Sequence, residues 1–300
     1  MTQSTVADTS QAQTPSNIKQ PLLSRRARHW LGHGAAYIFM TALALVFMIP
    51  ILWMLSTSLK ARWEVFAWPP QWIPETIHWE NYVEAFTRYP MGRFMLNSTI
   101  LVAATIVGEL FAVPLVAYGF ARLRFPGKNV LFLIMLGTMM IPGHIKLIPL
   151  FTIYHRLGWI DTYLPLIVPA FFGSPFFIFL MVQYMKTIPR DLDDAARIDG
   201  AGTWGILYRV LLPLCVPPLT IVVVFTFLWT WNEFLHPLIF LNSFELFPVQ
   251  VGLALFKGRY SVEWNLFMAA TLISIIPILI LYFFSQKQLI GGIASVGLKG

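Results

Sequence analysis

The chain has 300 residues, 57% of them apolar and only 12% charged, with a mean hydropathy of +0.67. A soluble domain carries roughly twice that share of charge; 25 Phe, 11 Trp and 10 Tyr exclude disorder over the bulk of the chain, and Cys215, the single cysteine, excludes a disulfide scaffold. The 21 Lys and Arg exceed the 14 Asp and Glu, but they are spread thinly between apolar segments rather than gathered in a block, which points to a membrane protein and away from a nucleic-acid partner.

Residues 1–24 are rich in Ser, Thr, Gln and Ala and hold no apolar run. A secretory leader would place a short apolar core there. The stretch instead reads as a disordered cytoplasmic tail reaching to residue 30, with Arg25, Arg26 and Arg28 just before the first apolar run.

A helix needs about 20 mostly apolar residues to cross a bilayer. Six runs satisfy this: 35–58, 97–120, 129–153, 163–185, 214–241 and 265–285. Transmembrane strands would alternate over about ten residues, and these runs do not. The expectation is therefore an all-α polytopic membrane protein with six transmembrane helices, its membrane domain covering 31–290. Prolines at 50, 114, 142, 175, 217, 218 and 277 fall in or beside the spans and read first as packing kinks that neighbouring groups re-satisfy.

Basic loop residues set the orientation. With the N-terminus inside, thirteen Lys and Arg lie on the cytoplasmic side and eight opposite, so both termini are expected in the cytoplasm. The 61–95 loop then lies outside with Trp63, Trp68, Trp72 and Trp79, an interfacial aromatic belt before it is a ligand platform.

Three sets of polar groups stand out within this frame. Glu109 lies mid-span in the second run, where an unpaired charge is costly. It reads as a contact of the solute path, as a structural hydrogen bond between helices, or as a protonated acid. Trp231, Asn232 and Glu233 combine an aromatic face with hydroxyl-binding groups and read as path lining or as helix packing. His144, His155 and His236 are scattered without metal-ligand spacing, and no nucleophile–base set occurs, so neither a metal site nor catalysis is expected.

Residues 186–213 differ from every other loop on their side. Pro189 can open a helix. Asp191, Asp193 and Asp194 follow in the first turn, where carboxylates meet the positive end of the helix dipole. Gly200 and Gly202 interrupt the pattern, and Ile206, Leu207, Val210 and Leu211 resume helical spacing up to Pro213. The segment reads as helix, glycine turn, helix.

Its spacing, Asp194-Ala195-Ala196, three residues, Gly200, nine residues, Val210, one residue, Leu212-Pro213, resembles the EAA loop of bacterial ATP-binding-cassette importer permeases. Asp stands for Glu at 194 and Val for Ile at 210. Further segments resemble the carbohydrate branch, of the maltose-permease type: Arg122-Leu-Arg-Phe-Pro-Gly-Lys128, Met140-Ile-Pro142 with Leu147-Ile-Pro-Leu150, and Trp231-Asn-Glu-Phe234 with Pro237-Leu238. The end, 291–300, resembles the small-residue tail of the shorter permease of the pair. The resemblance covers roughly residues 35–300.

It implies the type I importer transmembrane fold and a binding-protein-dependent permease for a sugar or oligosaccharide in the bacterial inner membrane. It also implies a second homologous permease, an ATPase dimer and an extracytoplasmic sugar-binding protein as partners, besides membrane lipid. By resemblance, Asp194, Ala195, Ala196, Asp199, Gly200, Ala201, Leu212 and Pro213 would couple to the ATPase. Ser295, Val296, Gly297 and Lys299 would touch the ATPase dimer, and the 242–263 loop, with Glu245, Lys257, Arg259 and Tyr260, would touch the binding protein. The chain has no G-x-x-x-x-G-K-[ST] phosphate loop, so no cofactor is expected on it, and ATP and Mg would belong to the partner ATPases. The alternative class is an ion-gradient-driven transporter, for which inverted repeats and several mid-membrane charges would speak; only Glu109 lies clearly mid-span.

Overall fold

The computed structural model describes residues 25–258 and 262–297, with side chains described at 33–34, 36–258 and 262–286. The sequence features of 1–24, with Arg259, Tyr260 and Lys299, lie outside the described residues. The chain divides into two compact units, Met1–Leu52 and Trp53–Gly300. Among the described residues there is no β-strand, only an isolated bridge between Lys257 and Val262.

Helix α1 (Arg25–Ser58) keeps Pro50 inside it, as a membrane helix can. After it the chain turns through a polar knot. Asn81 Nδ2 donates to the carbonyls of Ser58 and Lys60, both at 2.9 Å, while its Oδ1 accepts from Asn265 Nδ2. Lys60 donates to Gln71 O and stands 4.4 Å over the Trp53 ring, so its ammonium is buried with two kinds of partner. The rings of Trp63, Trp68, Trp72 and Trp79 lie exposed in this region, which also holds α2 (Glu80–Arg88).

Helix α3 (Met91–Arg122) starts six residues before the predicted span and ends two beyond it, because Met91 and Phe94 are buried in an aromatic core before lipid is needed to justify them. It is the central element, packed against the helices Pro175–Thr187 and Val216–Asn232 and the turn 168–172. Its small residues permit this closeness. A Cβ at Gly108 would stand 3.0 Å from the carbonyl carbon of Ala170 and 2.9 Å from the Phe171 ring.

Three predicted spans are broken. The third is two helices, α4 (Lys128–Thr138) and α5 (Gly143–Arg156), bent by 98° across 139–142, where Pro142 denies Ile141 the helical region. The fourth is α6 (Leu164–Ile167), a 3₁₀ turn over Val168–Phe172 and α7 (Pro175–Thr187). Helix α8 (Asp191–Ile198) follows, then α9 (Thr203–Gly205), a π-helical stretch over Ile206–Leu211 and α10 (Leu212–Leu214). A 77° bend at Cys215 leads into α11 (Val216–Asn232), whose Pro217 and Pro218 sit where helix N–H groups have no partner anyway. Residues 235–240 form a separate short helix, α12 (Leu235–Phe240), rather than the end of the fifth span.

Helices α13 (Val249–Ala254) and α14 (Trp264–Gly297) complete the fold. Among the described residues four helices are long and apolar enough to span, or up to six spans if each bent pair counts as one. Residues 291–297 of the small-residue tail continue α14 as helix. Side chains of Ser295, Val296 and Gly297 lie outside the described ones.

Two cores sit toward opposite ends of α3. One gathers Met91, Phe94, Trp231, Phe256 and Leu266. The other joins Ala117, Tyr118, Met181 and Met185 to Leu207 and Leu211. Between α5 and α6, Asp161 adopts φ +63° and ties its turn to the 240–243 loop. Its carboxylate accepts the Ser243 hydroxyl and the N–H groups of Ser243 (2.7 Å) and Asn242 (2.9 Å), which holds its pKa below the ordinary aspartate value.

Candidate functional site

The helix, glycine turn and helix expected over 186–213 are present. Helix α8 closes on a Schellman turn: the Ala201 N–H reaches Ala196 O (2.8 Å) and the Gly200 N–H reaches Arg197 O (3.0 Å). This turn needs a left-handed residue, and Gly200 supplies φ +83°. A Cβ at 200 would meet nothing within 4 Å, so the demand for glycine here is conformational.

Two faces result. One turns inward: Ala196, Ala201 and Leu212 pack on the core formed by α3, α7 and Ile206, Leu207 and Leu211. The other presents Leu192, Ile198, Trp204 and Tyr208 to the surface, with Ile198 87% exposed and the last two rings stacked at 6.1 Å. Ala195, Asp199 and Pro213 lie exposed on the same segment. Asp194 is also exposed and pairs with Arg197 at 2.7 Å, one turn along.

The carboxylate that anchors the segment is its neighbour. Asp193 is buried and lies 3.1 Å from Arg122 Nε at the end of α3, with both side chains at most 5% exposed. Arg122 also donates to Ile188 O at 2.9 Å. Sequence reading treated the first-turn aspartates alike. The signal that distinguishes them is helix phase, since Asp193 lies three residues before Ala196 on the core-facing side and Asp194 does not.

The four path candidates separate. Glu109 is buried, and its Oε2 accepts the Ser174 N–H at 3.0 Å, satisfying a backbone donor at the break before α7. Glu109→Leu should cost about 1–3 kcal/mol by orphaning that donor, whereas Glu109→Gln keeps an acceptor and should unfold near the wild type. Thermal melts of the purified variants check this; equal losses in both would remove the hydrogen bond as the reason for the acid.

Trp231 is 2% exposed, donates its indole N–H to Ser274 O at 3.0 Å and stacks on Phe227, so it packs helices together. Asn232 donates back to Leu228 O and accepts from Gln250. Glu233 does face a cavity. It accepts the N–H groups of Leu235 and His236 and lies 3.2 Å from the His236 Nδ1, which fixes the start of α12.

That cavity holds about 460 Å³ between α3, α5, α6, α11 and α12. Trp229, Glu233, His236, Lys146 and Tyr154 are among its walls. The Trp229 ring, half exposed, is backed by the Phe177 ring at 5.1 Å. An aromatic wall beside a carboxylate, an imidazole and an ammonium suits a polyhydroxylated ligand, with ring contact to C–H faces and charged acceptors and donors to hydroxyls. The sequence leaves Trp231 open between path lining and helix packing. Two residues apart on a helix means nearly opposite faces, and α11 is too uniformly apolar for its pattern to say which.

Comparison with known proteins agrees with this architecture. The sequence profile described as "Binding-protein-dependent transport system inner membrane component" matches residues 111–294. The probable ABC transporter permease protein YurM of Bacillus subtilis is 33% identical over 278 residues, 92% of this chain and 91% of that protein. The arabinooligosaccharides permease AraQ of the same organism is 33% identical over 89% of this chain and 95% of its own length. The diacetylchitobiose uptake permease NgcG of Streptomyces coelicolor is 29% identical over 84% of each. Among solved structures, a bacterial ABC transporter involved in importing the acidic polysaccharide alginate contains a chain that superposes with a TM-score of 0.76 at 25% identity, over 89% of this chain and 99% of that one.

Proposed function

The chain belongs to the family of binding-protein-dependent transport system inner membrane components, the ABC importer permeases, and we propose that it is the shorter permease of an ATP-driven importer for an oligosaccharide. The observation that carries the coupling reading is the 191–213 segment: a left-handed turn at Gly200 presents an exposed apolar face, Leu192, Ile198, Trp204 and Tyr208, while the opposite face is locked to α3 by Arg122 and Asp193. Exposed apolar side chains gathered at a polar end mark a contact surface. In this reading the partner is an ATPase subunit in the cytoplasm, and both chain termini lie on that side of the bacterial inner membrane.

Closure of an ATPase dimer on ATP would carry α8 with it. The buried ion pair and the shared core make α8, α3 and α7 move as one body, so the push becomes a rigid-body switch of access. ATP and Mg stay on the ATPase. Permease tail residues 291–300, with Ser295, Val296, Gly297 and Lys299, would reach the ATPase dimer, and the 242–263 loop would meet the binding protein on the other side.

The oligosaccharide assignment rests on the relatives' solutes, arabinooligosaccharides and diacetylchitobiose among them, and on the Trp229, Glu233 and His236 wall, which fits a sugar better than an ion. The test is reconstitution: this chain with its second permease, ATPase pair and binding protein in liposomes. Neutral oligosaccharides of two to five units should stimulate ATP hydrolysis several-fold in the presence of the binding protein. ATPase subunits that never co-purify with the chain would overturn the coupling reading; an assembled complex that ignores every saccharide would overturn the solute class alone.

A further inference from the structure

A second accumulation of charge lies where the coupling segment begins, away from its exposed apolar face. A cavity of about 460 Å³ opens between the end of α3, the start of α4 and the junction of α7 with α8. Lys128, Lys186 and Arg190 line it with Asn129 and Thr187, and no acidic side chain does. Arg122 also borders it, but Asp193 meets that charge.

Among the described residues the other three cations contact neutral groups, and Arg190 also borders a hollow that Asp193 and Asp194 line. Lys128 donates to Leu123 O at 2.8 Å, Lys186 stands 5.7 Å over the Phe132 ring, and Arg190 reaches Ala121 O at 3.5 Å. Among the described residues none of them stands within ion-pair distance of a carboxylate. Three like charges around one hollow repel one another, and an anion between them would relieve that cost.

A narrower hollow of about 230 Å³ runs along α7 from Thr187 through Tyr184 and Leu180 to Phe179, closed on the other side by Pro218 and Ile221 of α11. The eight helical steps from Phe179 to Thr187 make it about 12 Å long. Its walls are almost wholly apolar, and Thr187 lines both hollows. The cations therefore sit at the polar ends of apolar helices, where a headgroup layer lies, and an apolar furrow leads from them into the depth of the helices.

We propose that the two hollows hold one anionic phospholipid, its phosphate among Lys128, Lys186 and Arg190 and an acyl chain against α7 and α11. A free phosphate would use the basic hollow and leave the furrow empty; an acidic protein surface would do the same. A zwitterionic lipid fits the furrow but brings an ammonium to three cations. The proposal requires only a membrane-spanning chain and stands whatever solute the importer carries.

Native mass spectrometry of the purified full-length chain, with dioleoyl phosphatidylglycerol or dioleoyl phosphatidylcholine added, tests it. Phosphatidylglycerol should be retained well above phosphatidylcholine. Each of Lys186→Gln and Arg190→Gln should cut that preference about fivefold, the effect of one basic group at an anionic surface. Arg156→Gln, at the exposed end of α5, should leave it unchanged. Ile221→Trp, which fills the furrow, should weaken retention of the dioleoyl lipid while dihexanoyl phosphatidylglycerol binds as before.

Equal retention of the two lipids, or a Lys186→Gln/Arg190→Gln variant that keeps the preference, overturns the proposal. So does inorganic phosphate displacing the lipid as well as the dihexanoyl form does with Ile221→Trp silent, which would mark a phosphate site. Carbodiimide cross-links from Lys128 or Lys186 to ATPase carboxylates in the assembled transporter, without lipid preference, would assign the patch to that partner and end the lipid reading.

Discussion

Gly200→Val should abolish substrate-stimulated ATP hydrolysis and retention of the ATPase subunits on purification, while the chain still inserts and folds. Gly200 sits at φ +83° in the turn that closes α8. A β-branched residue there costs on the order of 1–3 kcal/mol, and the chain can escape the strain only by opening the turn. Opening it loses the two capping bonds to Ala196 and Arg197 and swings Trp204 and Tyr208 relative to Leu192 and Ile198. The membrane helices lie elsewhere and should not notice.

Because a Cβ at this position meets nothing within 4 Å, size and conformation can be separated. Asparagine enters the left-handed region readily. Gly200→Asn should therefore keep most of the coupling, Gly200→Ala should fall between, and Gly200→Val should lose it, in co-purification and in liposome ATP hydrolysis alike. If Asn fails as completely as Val, the partner's surface leaves no room for any side chain, and the conformational account is wrong. Wild-type values for Val would reduce the segment to a connector.

What made this segment legible in the sequence is that its determinants are local. First-turn aspartates, a glycine at the stop and resumed apolar spacing each act within a few residues, so spacing alone gives the helix, turn and helix. The broken spans are different. Pro142, Pro217 and Pro218 are plain in the sequence, but whether a proline bends a membrane helix by a few degrees or by 98° depends on which neighbours receive the freed carbonyls. Side assignment fails for a related reason. Around α11 nearly every residue is apolar, so no polar face marks the phase, and the pattern does not say that Trp231 turns into the core while Trp229 stays half exposed. Glu109 shows the same limit, because its partner is a backbone N–H 65 residues away at a helix break that no pattern announces.

The largest structural effect should come from Arg122 and Asp193, the pair that phase alone distinguishes from its neighbours. Both side chains are at most 5% exposed and 3.1 Å apart, and the guanidinium has one further acceptor, Ile188 O. Asp193→Ala leaves that guanidinium buried against a single carbonyl, and Arg122→Ala leaves a buried carboxylate. Either should cost about 3–5 kcal/mol, far above the 0.2–1 kcal/mol of an exposed pair such as Asp194 with Arg197. Replacing both by leucine removes both charges from the interior and should return most of that stability, so the two single losses will not add. Coupling should follow a different pattern. Leucines can pack α8 on the end of α3, but they do not hold its register as a buried charge pair does. The double variant should therefore melt near the wild type and still hydrolyse ATP with weakened dependence on substrate and binding protein. Melting temperature and substrate-stimulated ATP hydrolysis, read together on the two single variants and the double, check this. Single losses below about 1 kcal/mol would mean that water reaches the pair. A double variant as stable and as tightly coupled as the wild type would mean that the hydrophobic contacts of Leu207 and Leu211 with α3 and α7 transmit the motion without it.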